Sequence, residues 1–230
     1  MPAPALSIIL PVRNEAAGIV ATLQALAPLR ARGAQVIVVD GGSNDETVTR
    51  AQSVLAPDGQ LLQSPAGRAL QMNAGAQQAQ GAVLLFLHAD TLLPPEADAL
   101  IAQAIATGPH VWGRFDVRIA GRPWMLKVIA ALMNGRSRYS GIATGDQALF
   151  MTRAAFDAVG GFPNQALMED IEISRRLLRL SRPACLSQCV VTSGRRWEAR
   201  GVWRTVWLMW RLRLAYWLGA SPDALAQRYR

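Results

Sequence analysis

Three short apolar runs limit what this chain can fold into: LSIILPV at 6–12, AQVIVVD at 34–40 and AVLLFL at 82–87. Each is a continuous aliphatic stretch without polar alternation, the pattern of a strand covered on both faces. Helical spans separate them. Residues 15–31 carry Ile19, Leu23, Leu26 and Leu29 near helical spacing, with Gly33 as the stop. Residues 45–55 read as a second helix, 60–63 as a short strand and Arg68 to Gln78 as a third helix, and a fourth begins after Pro94-Pro95. This alternation through residue 106 predicts an α/β fold with a mostly parallel central sheet flanked by helices.

The second half is less regular. VWGRFDVRI at 111–119 alternates as a strand near a sheet edge does, and 123–134 is an apolar helix. QALFMT at 147–152 reads as a strand, 168–180 as a helix, CLSQCVVTS at 185–193 as a last strand and 201–218 as a Trp-rich amphipathic helix. No linker divides the chain, so 1–230 is expected to form one domain.

With 51% hydrophobic and 17% charged residues, a chain of this length builds a sizeable core rather than long disorder. The formal net charge is +8, and Lys127 is the only lysine, so arginine dominates. That points to an anionic partner such as phosphate or an acidic membrane surface. The charge is spread along the chain with a bias to the C-terminal third, which does not indicate nucleic acid. Cys185 and Cys189 form a lone CxxxC with no cluster to complete a metal site, and read as small core residues in a reduced cytoplasm. The first residues lack the basic segment and long apolar run of a signal peptide, and no run of about 18 apolar residues offers a membrane span. The expected location is the cytoplasm, free or peripheral at the inner face of the membrane.

In open α/β sheets, ligands bind beyond the carboxyl ends of the strands. The residues there are Pro11-Val12-Arg13-Asn14-Glu15, Asp40-Gly41-Gly42-Ser43-Asn44-Asp45 and His88-Ala89-Asp90. Three strand ends each bring a carboxylate to one edge, which suits a nucleoside diphosphate. Asp40 is placed to accept from a base or ribose, and Asp90 to hold a hard divalent cation bridging to phosphate oxygens. In the 168–180 helix, about 100° per residue sets Asp170 on the side of Ile173 and Leu177, away from Glu172, Arg175, Arg176 and Arg179.

SIILPVRNEAAGI, VVDGGSNDET, GRALQMNAGA, LFLHADT, GDQALFMTRAAFDAVGGF and LMEDIEISRRL, in that order across roughly 6–180, resemble the motifs of family 2 glycosyltransferases. The resemblance implies a GT-A fold, with a nucleotide-binding half over about 1–106, an acceptor-binding half over about 107–200 and a helical tail over 201–230. It implies an inverting transfer from a nucleotide sugar, UDP- or GDP-linked, usually with Mg²⁺ or Mn²⁺. His88-Ala89-Asp90 stands where the family has DxD. Asp90 matches the last aspartate, the usual metal ligand, and His88 replaces the first, which removes a negative charge beside the diphosphate. For His88, a second metal ligand and a ribose contact both stay open.

The nucleotide site so implied comprises Pro11, Val12, Arg13, Glu15, Asp40, Arg68, His88, Ala89 and Asp90. Glu169-Asp170 resembles the family's ED motif, which makes Asp170 the general base. Gly145, Asp146, Gln147, Glu169, Arg196 and Trp197 fall on the acceptor side. SGRRWEARG keeps the Arg-Trp of the QxxRW pattern of processive members but has Ser193 in place of the glutamine, which argues for a non-processive enzyme. Two other functions compete. A nucleotidyltransferase of related fold should carry a Gly-rich basic loop after the first strand, and PVRNEAAG lacks it. A catalytically inactive nucleotide- or membrane-binding module is motivated by His88.

In the Trp-rich helix, Trp203, Val206, Trp207, Trp210, Leu214 and Trp217 share one face, and Leu208, Leu212 and Tyr216 the opposite one. Arg204 and Arg211 line one boundary and Arg213 the other. One apolar face covers the domain; the other is open to a lipid surface, to a second copy in a homodimer or to the rest of the tail. A lipid surface would suit an acceptor that is lipid-linked.

Overall fold

A computed structural model describes residues 5–55 and 59–229, so the first four residues and the last residue of the expected tail lie outside it. The first apolar run forms β1 (Leu6–Val12). The helix expected over 15–31 is two helices, α1 (Ile19–Ala25) and α2 (Ala27–Ala31). Pro28 has no N–H to give the Gln24 carbonyl, and the helix breaks there. Gly33, at φ 92°, closes α2 in the left-handed region. The expected alternation then holds through β2 (Gln35–Asp40), α3 (Thr47–Leu55), β3 (Gln60–Gln63), α4 (Arg68–Gln78) and β4 (Val83–Phe86). A two-residue β5 (Thr91–Leu92) precedes α5 (Ala97–Ala106), which starts after the proline pair. The second half adds β6 (Trp112–Ala120), α6 (Met125–Ser140), β7 (Phe150–Thr152), α7 (Arg153–Ala158) and α8 (Glu169–Leu177). It ends with β8 (Ala184–Ser193), α9 (Arg195–Arg200), α10 (Val202–Trp217) and α11 (Pro222–Tyr229).

The strands form one sheet in the order β3-β2-β1-β4-β7-β6-β8-β5. β3, β2, β1 and β4 are parallel, β7 runs antiparallel between β4 and β6, and β8 is parallel to β6. The strand order reverses between β1 and β4, and a crevice opens at the carboxyl ends of such a pair. Alternate residues of the apolar runs feed two cores. Ile8, Leu10, Val38 and Leu85 pack on one face, and Ile9, Ile37, Val39 and Phe86 on the other. This two-sided burial explains why the runs carry no polar alternation.

Three expectations change. β6 lies inside the sheet, between β7 and β8, not near an edge. A register shift between Phe115 and Asp116 leaves Ser187 and Gln188 of β8 unpaired, and beyond it Val117 and Ile119 stay buried while Arg118 and Ala120 reach solvent. The alternation therefore reports one open face. Cys185 is half-buried and Cys189 exposed, both free, because only the two-residue β5 flanks the other side of β8. β7 is shorter than expected because Gly145–Gln147 forms a 3₁₀ turn. Its buried Gln147 accepts from the Thr144 N–H at 3.2 Å and donates to Asn134 at 3.3 Å. No helix among the described residues is long and apolar enough to cross a membrane.

One buried amide fixes the floor of the crevice. Gln71 of α4 donates through Nε2 to the carbonyls of Val12 and Val39, each at 2.8 Å. Gly41 makes room for it, since a Cβ there would lie 2.7 Å from the Gln71 side chain. Gln71→Leu keeps the volume and removes both bonds, each worth about 0.5–1.5 kcal/mol. Urea denaturation should show a stability loss of about 1–3 kcal/mol at unchanged m. A native midpoint would assign the strand ends to other contacts.

Candidate functional site

Beyond β1 and β2 the two loops are interlocked. The Asn14 N–H donates to Ser43 Oγ at 2.9 Å, and the Asn44 N–H to Asn14 Oδ1 at 3.0 Å. The Glu15 N–H donates to Thr47 Oγ1 at 2.8 Å, and Asp45, which accepts from the Thr47 N–H at the start of α3, also accepts from the Ala16 N–H at 3.2 Å. Asp40 is buried, and its carboxylate already holds its own turn: it accepts from the N–H groups of Gly42 and Ser43 at 3.1 Å and from Ser43 Oγ at 2.5 Å. The lone pairs left over are few, so Asp40 is committed first to shaping its own loop. Pro11 is half-buried, Val12 buried and Arg13 exposed.

Beyond β4, His88 is half-buried, and its Nδ1 lies 3.1 Å from Asp146 Oδ1. Its Nε2 lies against Gly145, where a Cβ would come within 2.3 Å of it. Ala89 points into the core at 6% exposure, and its carbonyl accepts from Thr22 Oγ1 at 2.6 Å, so its side chain does not face the crevice. Asp90 is half-exposed; its Oδ2 lies 3.9 Å from Arg195 Nη2, which also reaches Glu15 Oε2 at 3.1 Å. Arg195 thus ties together two of the strand-end acids. Sequence reasoning singled out its neighbour Arg196 and missed it.

Facing this edge is the start of α8. Met168 enters the helix at φ 66°, and Asn14 (φ 55°) and Ala148 (φ 48°) are the other non-glycine residues of positive φ among those described. All three lie in loops around the crevice, where strained backbone is held by its surroundings. The buried Glu169 carboxylate takes Arg68 Nη1 at 3.3 Å. Asp170 Oδ2 accepts from the Gly145 N–H at 3.0 Å, and Oδ1 from the Ile171 N–H at 2.8 Å. Burial and the neighbouring Glu169 charge push the Asp170 carboxyl up to about 6, against the Gly145 N–H and Arg68. Partial burial works against ionisation of Asp146 too, but there His88, Arg68 and Arg196 win and hold the carboxyl below its ordinary range.

Arg68, His88, Gly145, Glu169 and Asp170 line one pocket over Met72, Phe86, Leu149 and Phe162. Ile173 and Leu177 are buried and Arg175 and Arg179 exposed, as the helix phase requires, while Glu172 holds Arg176 at 3.1 Å. On the expected acceptor side, Gln147 is engaged in the turn described above, and Trp197 packs against the main core. Among the described residues, Nε and Nη2 of Arg136 and Nε2 of Gln165 are buried without a protein partner, and Thr144 Oγ1 caps the 3₁₀ turn. Arg136 sits on α6 and Gln165 before α8, and the Arg136 charge acts on Asp170. Such orphaned groups suit a ligand or water.

Among the described residues no three His, Cys, Asp or Glu side chains form a group that could hold a metal ion. Mg²⁺ is commonly bound by one or two carboxylates together with substrate phosphates rather than by an all-protein cage. Asp90, half-exposed at the edge, fits that arrangement as a single carboxylate ligand. His88 fits less well, since Nδ1 is engaged by Asp146 and Nε2 abuts Gly145.

The profile described as Glycosyl transferase family 2 matches residues 7–161. A PGL/p-HBAD biosynthesis glycosyltransferase of Mycobacterium bovis is 40% identical over 134 residues, which cover 54% of this chain and 52% of that protein. The chain thus spans about half the length of that curated relative. S. aureus TarS 1-349 in complex with UDP superposes with a TM-score of 0.65 at 21% identity, over 82% of this chain and 60% of that one. The mannosyltransferase PcManGT from Pyrobaculum calidifontis, in complex with GDP-Man and Mn²⁺, gives 0.65 at 22% identity, over 99% and 69%. These likenesses establish the α/β GT-A fold. With the profile spanning more than half of its residues, the chain belongs to glycosyl transferase family 2.

Proposed function

We propose that this chain is a non-processive inverting transferase, with Asp170 as the general base that moves a sugar from a UDP- or GDP-linked donor to an acceptor hydroxyl. The observation that carries this reading is the state of Asp170: a half-buried carboxylate oriented by the Gly145 N–H and poised at about 6, in one pocket with Arg68 and His88. A base with that pKa is ionised at neutral pH yet basic enough to share a proton in the transition state. The acceptor oxygen then attacks the anomeric carbon opposite the leaving group, and Asp170 takes its proton. Arg68, held by Glu169, faces the departing nucleoside diphosphate and stabilises its charge. Glu15, the Asp40 turn and Asp90 frame the nucleotide in the half over about 1–106, and the acceptor enters from the half over about 107–200. The UDP and the GDP-Man with Mn²⁺ bound by the two structural relatives support a nucleotide sugar as donor. A divalent cation held by Asp90 would neutralise diphosphate charge when bound.

Asp170→Asn should bind UDP or GDP with near-native affinity and transfer at least about 100-fold more slowly. Turnover like the native protein would end the assignment. Glu172→Gln, which removes only ion pairs with Arg175 and Arg176 within α8, should stay active.

The pH dependence has a definite sign. Transfer should fall as pH drops through about 6, because Asp170 becomes protonated, and Asp170→Asn should lose that limb. The ordinary carboxyl value is 3.8, so the folded state binds a proton more tightly than the unfolded chain. The stabilisation from this group is present below 3.8 and is lost as pH rises towards about 6. Asp170→Asn should therefore melt no lower than the native protein at pH 7.

His88→Asp sets a carboxylate against Asp146. Calorimetry in EDTA should show nucleotide binding weakened by at least about tenfold, with Mn²⁺ restoring it. Binding of this variant that ignores Mn²⁺ would remove the cation from the site, and Asp90→Ala should abolish the Mn²⁺ increment.

A further inference from the structure

The two faces of α10 have opposite fates. Leu212 is buried and packs with Met168, Ile171 and Leu225, while Leu208, Met209 and Tyr216 close around them. On the other side Trp203, Trp207, Trp210 and Trp217 are 70, 64, 72 and 81% exposed, and Leu214 is 60% exposed. The rest of the tail does not cover them. At about 100° per residue these five fall within an arc of about 80°, along about 21 Å of helix. Arg204 and Arg211 lie roughly 80–100° to one side of that stripe, and Arg213 as far to the other. Arg211 rests against the Trp207 ring, 4.6 Å from its centroid. Residues 199–221 contain four arginines and no acid.

An exposed stripe of indoles this long marks an interaction surface. Its chemistry separates the candidate occupants. A second copy joined by a two-fold axis would bring like arginine rows against each other, and like charges at an interface repel. An anionic lipid surface satisfies both elements at once. Indole rings settle at the boundary between acyl chains and headgroups, and arginines on either flank reach outward to phosphates. An in-plane helix needs one apolar face bordered by cations on both sides, which is the pattern here.

We infer that the tryptophan stripe of α10 docks the protein on an anionic lipid surface, so that α8, packed on the reverse of α10, presents Asp170 to an acceptor carried by that surface. Packed helices lie about 8–10 Å apart, which leaves the carboxylate close to the lipid. The docking stands on α10 alone; the acceptor clause rests on Asp170 being the base.

The test is flotation of the full chain with equimolar phosphatidylcholine–phosphatidylglycerol vesicles and with phosphatidylcholine alone. Anionic vesicles should bind at least about tenfold more protein, with a blue shift in tryptophan emission, and high salt should weaken the binding. The double variant Trp207→Ser/Trp210→Ser should lose at least about tenfold in vesicle binding. Its circular dichroism, melting temperature and donor hydrolysis in lipid-free buffer should stay native. Failure of the native chain to bind anionic vesicles, or native binding by the variant, overturns the proposal. So does a lipid-free dimer in sedimentation that the variant converts to a monomer, since the occupant is then a second copy. A native chain that docks but hydrolyses no nucleotide sugar keeps the docking and overturns the acceptor clause with the transferase reading.

Discussion

The crevice depends on two hydrogen bonds from one side chain. Parallel strands diverge at their carboxyl ends, where the sheet ladder runs out and the ligand has to enter. Gln71 braces β1 and β2 at that point by donating to the Val12 and Val39 carbonyls, beside the Gly41 N–H, which donates to the Val12 carbonyl at 2.9 Å. The loop bonds among Asn14, Ser43, Asn44 and Thr47 follow directly beyond those ends. Asp40 then spends most of its acceptor capacity on Gly42 and Ser43. This edge of the crevice is therefore held by its own side-chain hydrogen bonds.

Across the crevice the organising force is charge. Five acidic and basic groups alternate there: Arg68 pairs with Glu169, His88 with Asp146, and Asp170 is left with backbone N–H groups. Glu169 is paired with Arg68, whereas Asp170 is held by backbone N–H groups, and burial together with the Glu169 charge pushes the Asp170 carboxyl up to about 6. Local pairing thus gives two adjacent, chemically similar acids different surroundings.

Local patterns were legible wherever burial on both faces dictated them. The runs at 6–12, 34–40 and 82–87 became strands, and the phase of 168–180 placed Asp170 inward beside Ile173. What escaped the sequence was set by distant partners. His88 meets Asp146 across 58 residues, and Arg195 meets Glu15 across 180, separations that no periodicity encodes. Asp40 looked free because the turn it holds is made by its own neighbours. Gln71 had a signal, a polar side chain on the inward stripe of α4 with Met72 and Ala76. The break at Pro28 was equally visible, and the apolar spacing across it masked the missing donor. β6 read as a strand near an edge because alternation reports an open face, whichever strand of the sheet carries it.

The entry turn of α8 carries a kinetic consequence. Met168 holds a left-handed backbone, and Leu212 and Leu225, more than forty residues later, pack against it and Ile171. Contacts of such sequence separation form late, since loop closure precedes any reward. A nascent or partly unfolded chain with its parallel strands in place would still lack a correctly aimed Asp170. The aim of Asp170 thus depends on the C-terminal helices as well as on the sheet.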